Sequence, residues 1–320
     1  MAKSSTDTVY TYLQSQQTCQ DFLYKCYQHL DGVDAATKSY ENCNAFMYNM
    51  MHGRQFYANG KKLNTLLKPI LFFYGMVHLL KANLLTIRPD YPESTTILAH
   101  GVSTRKRKKK DYTFMGDEVK VQHNGLFPYF SEHLFKQLRV PFEKIKMDLL
   151  FGLIPEMDSL FTMQGERRMV PVGDIGGATL RFPDSLLDHY HLTVNTFIER
   201  IRPFLPTIKN IEQTNSAAVI KLDSPLTANS GPFYVHSQDK TLYFPAAREQ
   251  FIPVSEVMVH YLLLFNLSML CRYEPEWWGD LLSSKSEADY PFIVHFLEVT
   301  AEKIPHLLGE ELLNHVNFLH

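Results

Sequence analysis

Apolar and polar positions alternate with three different textures along the chain. In residues 6–30, Tyr10, Leu13, Phe22, Leu23, Cys26, Tyr27 and Leu30 recur at spacings of three and four, which predicts a helix ended by Asp31-Gly32. Residues 36–58 predict a second helix on Tyr40, Cys43, Phe46, Met47, Met50 and Met51, with Gly53 as a kink or early stop. Residues 65–88 predict the central helix. Its line Ile70, Phe73, Val77, Leu80, Leu84, Ile87 is wholly apolar, and Leu71, Gly75, Leu79, Ala82 form a second, smaller line suited to close packing. Only Tyr74, His78, Lys81 and Arg88 make a polar line. A helix apolar nearly all round belongs inside a domain. Pro89 and Pro92 prevent its continuation.

The texture then becomes irregular. Glu118–Gln122 alternates, and His123-Asn124-Gly125 reads as a hairpin turn into Leu126–Phe130, with a short helix from Ser131-Glu132. Residues 142–164 predict a further helix, kinked or broken at Pro155. From Gly165 to Pro253 short alternating runs appear: Met169–Val172, Ala178–Phe182, Ala217–Leu222, Phe233–His236 and Leu242–Phe244. Ser237–Lys240 reads as a hairpin loop, and residues 193–204 as a helix between strands. Helical periodicity returns over residues 254–272 and 287–302, with an amphipathic tail after Pro305.

These elements imply an α+β, predominantly α-helical protein. Residues 1–164 supply a helical part with a small hairpin, 165–253 a strand-containing insert, and 254–320 the helices that complete one bundle. Hydrophobic residues make up 45% of the 320, ample for a buried core, and 13% are aromatic. The four cysteines, Cys19, Cys26, Cys43 and Cys271, lack CxxC spacing, which fits reduced thiols in a cytoplasmic protein. MAKSSTDTVYTYLQ at the N-terminus holds no apolar signal region. Ile70–Ile87 and Val257–Cys271 approach membrane length, but the first carries His78 and Lys81 and the second falls short of the roughly 20 residues a span needs, so no membrane is expected.

Net charge is −2, and without the run Arg105, Lys106, Arg107, Lys108, Lys109, Lys110 the remainder carries −8. The run either folds onto the protein's own acidic surface as a solvated or paired loop, or reaches an outside anion. Its arginines suit bidentate phosphate binding, and Tyr112 and Phe114 beside it allow base stacking or begin a strand. His100-Gly101 precedes the run and offers an acid–base group, or a plain turn histidine. Tyr74, His78 and Lys81 lie along either a pocket or the exposed edge of the central helix. Arg272 closes the helix before Trp277-Trp278, where the tryptophans cap and pack, stack a base, or receive a protein.

Other motifs are weaker. Asp188, His189 and His191 lack a third metal ligand, and none of the 14 histidines forms HExxH, so no metal or cofactor is expected. Gly173-Asp174-Ile175-Gly176-Gly177 lacks both phosphate-loop spacings and reads as a hairpin or bulge. Ser103 is not in a GxSxG elbow.

The blocks Ser39-Tyr40-Glu41-Asn42, PILFFYGMVHLLKANLLT, YPESTTILAHGVSTRKRKK, DEVKVQHNGLF and LSMLCRYEPEWWGDLL resemble the bacterial YaaC-like family over residues 36–300. That resemblance brings no activity with it. The LLKPILFFYGMVHLLKANLL helix is similar to the signature helix of HEPN-type bundles, which often act on or near RNA. Ribonucleases of that group carry an Arg followed by four to six residues and then a His. Here the nearest case, Arg181 to His189, has seven residues between and lies among the strands, which puts nuclease activity in doubt. The leading expectation is a non-enzymatic cytoplasmic protein binding an anionic ligand, RNA or nucleotide first, through Arg105–Lys110 with His100 and Arg272. The alternatives are an enzyme on a nucleotide or phosphorylated metabolite using His78, Lys81 or His100, and a scaffold binding a protein partner at Trp277-Trp278.

Overall fold

The structure is a computed structural model that describes residues 5–105, 112–226 and 231–317. In chain order the helices are α1 (Ser5–Tyr12), α2 (Gln16–Tyr27), α3 (Ala35–Lys62), α4 (Lys68–Ile87), α5 (Leu126–His133), α6 (Met147–Phe151), α7 (Asp158–Met163), α8 (Asp184–Tyr190), α9 (Val194–Ile201), α10 (Glu256–Tyr273), α11 (Pro275–Ser284) and α12 (Asp289–Asn317). The strands are β1 (Val102–Ser103), β2 (Glu118–Val121), β3 (Lys144–Lys146), β4 (Met169–Asp174), β5 (Thr179–Pro183), β6 (Ile208–Gln213), β7 (Ala217–Leu222), β8 (Tyr234–Val235) and β9 (Thr241–Pro245). The protein is thus α+β and predominantly helical. Two compact units emerge: one from residues 1–112, 118–144 and 260–320, the other from 113–117 and 145–259.

In the first unit α4 is the buried axis. Helices α2, α3, α5 and α12 all pack on it, because its apolar lines cover most of its circumference. By length and composition α4 is the one helix among the described residues able to cross a membrane, yet 67% of its apolar window is buried inside the protein. Helix α3 runs unbroken through Gly53, where a kink or stop was expected. Gly53 permits contact instead: a Cβ there would meet Leu79 Cγ at 2.6 Å and the Gly75 carbonyl oxygen at 2.9 Å. From α4, a Cβ at Gly75 would meet Tyr57 at 2.9 Å. The two glycines let the helices approach backbone to backbone, so the residue that breaks a solvated helix here joins two buried ones.

The helix expected over residues 6–30 is two. Ser15 ends the first stretch and caps α2 by accepting from the Thr18 N–H at 3.2 Å. Leu126–Phe130 is helical, not a hairpin strand. Its first two N–H groups donate to the carbonyls of Ala99 (2.7 Å) and His100 (3.1 Å), which satisfies donors a helix start leaves open. The approach depends on Gly125, at φ +121°, lying against Gly101, since a Cβ at Gly125 would meet Gly101 atoms at 2.4 Å. Strand β1 pairs antiparallel with β2, Val102 opposite Val121. Pro275 ends α10 and starts α11, and α12 continues through Pro305 where a separate tail was expected. There the Tyr10 hydroxyl of α1 donates to the Pro305 carbonyl at 2.8 Å.

The second unit carries two three-stranded antiparallel sheets, ordered β4-β9-β8 and β5-β7-β6. The five alternating runs read from the sequence coincide with β4, β5, β7, β8 and β9. Strand β6 escaped that reading because nearly every side chain in it is exposed, so no alternation marks it. The helix expected over residues 142–164 is instead β3, α6, a 3-10 turn at Pro155–Met157 and α7. The core stacks Phe182, Phe197, Phe233, Phe244 and Tyr190, with Phe182 edge-on to Phe244 at 5.4 Å. The glycine-rich stretch 173–177 is a turn, closed by the Gly177 N–H donating to Asp174 O at 3.0 Å, just beyond a bulge in β4.

Candidate functional site

The first unit gathers Tyr74, His100 and Arg272 from three distant stretches of chain. Phe73, fully buried on α4, is the hub: its ring contacts His100 (5.0 Å), Tyr261 (5.3 Å) and Phe265 (5.7 Å) edge-on. The backbone fixes His100 further, as its carbonyl accepts the Phe127 N–H at 3.1 Å and the Tyr261 hydroxyl at 2.9 Å. Its imidazole lies beside the Tyr74 ring at 6.1 Å.

Arg272, in the last turn of α10, is held in orientation. Its Nε–H donates to Ser268 O at 3.1 Å, Nη1–H to the Tyr74 hydroxyl at 3.2 Å, and Nη2–H to Met269 Sδ at 3.1 Å. Its guanidinium also contacts the Tyr273 ring at 5.2 Å and the Tyr74 ring at 5.9 Å. A guanidinium has five N–H donors, so two are left over. Among the described residues no carboxylate lies within 4.0 Å of Arg272 or of half-buried Lys81. Burial lowers the Lys81 pKa. Burial, then the charges of Arg272 and Lys81, lower that of His100, which favours its neutral form. The cluster is a half-buried positive site with a neutral imidazole beside it.

His78 is drawn elsewhere. Its Nδ1 is 2.8 Å from Asn49 Oδ1 on α3, and its ring stacks on Phe56 (5.7 Å) and meets His52 edge-on (5.4 Å). Burial, then the charges of Lys81 and His52, push its pKa down to about 4. His78 and His100 share no ring contact, and Lys81 is the charge both feel. The α3 partners Asn49, His52 and Phe56 went unnoticed in the sequence, where only their shared spacing of three and four hinted at one face.

Of the basic run, Arg105 is exposed, and Lys106, Arg107, Lys108, Lys109 and Lys110 lie outside the described residues. Phe114 is fully buried against Phe151 at 5.6 Å in the second unit, so it neither begins a strand nor offers a ring to a base. Tyr112 is half-buried with its ring 5.0 Å from that of Trp277. Trp278 is core, its indole N–H donating to Leu66 O at 3.0 Å, while Trp277 is only half-buried. In the second unit Asp188 and His189 lie on α8 and His191 follows it in the left-handed region; among the described residues no three His, Cys, Asp or Glu side chains are grouped to hold a metal ion.

No curated protein and no solved structure matches the chain. The family model described as YaaC-like Protein matches residues 11–312. With nearly its whole length matched, the chain belongs to the YaaC-like protein family.

Proposed function

We propose that this is a non-enzymatic, cytoplasmic protein that binds a phosphate-bearing ligand, with RNA or a nucleotide first. The carrying observation is Arg272: its guanidinium is oriented by Ser268 and Tyr74, keeps two donors in hand, and among the described residues has no carboxylate within 4.0 Å. A cation placed in this way suits an incoming oxyanion, which Arg grips through paired N–H donors. Lys81 adds a second charge, and neutral His100 offers a hydrogen bond. The sequence run Arg105–Lys110 adds six cations a few residues beyond His100. The likeness of α4 to HEPN signature helices supports RNA over a small anion.

Titration with short RNAs and nucleotides, at low and moderate salt, tests the reading. Binding should weaken steeply with salt, since each phosphate neutralised releases counterions. Replacing residues 105–110 by Ser should flatten that salt dependence. Arg272→Ala should weaken binding about 10- to 100-fold, the worth of a charge-assisted hydrogen bond, and Arg272→Lys should restore little of it. No binding at low salt, or binding indifferent to both changes, removes the proposal.

A further inference from the structure

The second unit holds an open cleft of about 380 Å³ beside α8 and α9, within the size range of small-molecule sites. Asp184 and Asp188 line it from α8, where a spacing of four residues puts both carboxylates on one side of the helix. Asn195, in the first turn of α9, and Gln213, the last residue of β6, line it too. The frame around them is fixed. The Asp184 N–H donates to Ser216 O at 3.1 Å, Gln213 pairs opposite Ala218 in the sheet, and Leu187 of the lining belongs to the core. The Thr193 hydroxyl is committed, since it accepts the Thr196 N–H at 3.4 Å as the cap of α9. The other four polar side chains are not. Among the described residues, those of Asp184, Asp188, Asn195 and Gln213 have no hydrogen-bond or ion-pair partner. One oxygen of Asp184, Oδ1, is shielded from water as well, and an acceptor buried in this way costs stability until a donor reaches the carboxylate.

We propose that this cleft is a binding site for an aliphatic diamine or polyamine, with ammonium groups on Asp184 and Asp188 and the hydrocarbon between them on Leu187 and Leu192. The lining carries two carboxylates and no Lys, Arg or His, so its charge selects a cation. The N-terminus of α9 opens on the same cleft with a partial positive charge of about one half, which two carboxylates outweigh. Ionised carboxylates only accept hydrogen bonds, so the ligand must donate, and each ammonium group brings three N–H donors. The carboxamide oxygens of Asn195 and Gln213 are further acceptors for them. Side chains four apart on a helix stand roughly 5–6 Å from each other at Cβ, a separation that suits two ammonium groups a few carbons apart. A bare metal ion fits less well. Among the described residues no third His, Cys, Asp or Glu joins the pair, and an ion makes no use of the two leucines. The site stands apart from the phosphate-binding reading, so neither depends on the other.

The test is isothermal titration calorimetry of the full chain with 1,4-diaminobutane, butylamine and magnesium chloride, all at one ionic strength. Diaminobutane should bind at a single site. Butylamine, which can reach one carboxylate at a time, should bind more weakly by about 2- to 5-fold, the worth of one exposed ion pair. Asp188 is exposed, so Asp188→Asn leaves the fold intact; it should cost diaminobutane the same factor and erase its advantage over butylamine. Asp184→Asn keeps the shape of the side chain and should weaken both amines by about 10- to 100-fold, as loss of a charge-assisted hydrogen bond does. Far-UV circular dichroism checks that each variant is folded, and the Asp188→Asn comparison decides the matter even if Asp184→Asn is not. No binding of either amine, equal affinity of the parent for both, or affinity indifferent to the Asp188 change overturns the proposal. Magnesium binding as tightly as diaminobutane, and lost with the same aspartates, overturns it in favour of a simple ion site.

Discussion

Gly53 and Gly279 make opposite predictions for the same chemical change, Gly→Ala inside a helix. In an unpacked helix that change gains about 1 kcal/mol, because alanine loses less backbone entropy. Gly279 lies within α11 with nothing within 4 Å of the added Cβ, so Gly279→Ala should realise most of this gain. At Gly53 the new methyl would sit 2.6 Å from Leu79 Cγ and 2.9 Å from the Gly75 carbonyl oxygen. Leu79 can rotate, but the Gly75 oxygen belongs to the backbone of α4. Ordinary contact begins near 3.4 Å, so α3 and α4 must part by about 0.5 Å. Overpacking of this kind costs about 1–3 kcal/mol, and the immovable oxygen places Gly53→Ala at the upper end. After the propensity gain, the net loss should be about 1–2 kcal/mol. For a unit of this size that lowers the melting midpoint by about 2–8 °C, while Gly279→Ala raises it by a few degrees. Thermal unfolding followed by far-UV circular dichroism, run in parallel on the three proteins, reads both. If Gly53→Ala melts at or above the parent, the backbone approach of α3 to α4 is not what holds the unit together.

Two further expectations concern ionisation. The folded His78 titrates near 4 against an ordinary 6.5, because burial disfavours its charge. Between those values the unfolded chain binds a proton the folded one does not, so stability should fall as pH drops through this window and be unaffected by His78 above it. His78→Gln should flatten urea-unfolding stability measured across that range; an unchanged slope would show that His78 charges freely in the fold. Burial also lifts the thiols of Cys19 and Cys26 to about 12. Iodoacetamide at about pH 8 should leave both unlabelled in the native protein and modify both in urea, by mass spectrometry. Native labelling at either cysteine would contradict its placement in the core.

Much of the architecture was legible because periodicity reports which face of an element is buried. Helix α4 read as an axis from its two apolar lines, and the five alternating runs became strands β4, β5, β7, β8 and β9. The same signal failed where burial does not alternate. Strand β6 is exposed beyond its first residue, and 142–164 carries enough apolar residues to look like one helix while β3, α6, a 3-10 turn and α7 divide it. Local breakers misled in both directions. Gly53 and Pro305 do not stop their helices, because tertiary contacts hold the backbone helical, whereas modest Ser15 ends one helix by capping the next.

The sequence alone determined the helical character of both ends, the strand-rich middle, the family, and the presence of one concentrated cation run. Those are properties of neighbours in the chain, set by spacing and charge. Only the tertiary structure decided which scattered polar residues meet. It set Arg272 against Tyr74, 198 positions away, and gave the imidazole of His100 its place beside them. It also gave His78 and His100 different partners, Asn49 for one and Phe73 for the other, although both lie on or near α4. The reason is physical: α4 is apolar on most of its surface, so it is packed on several sides, and each polar residue on its rim takes its character from whichever neighbouring helix it faces.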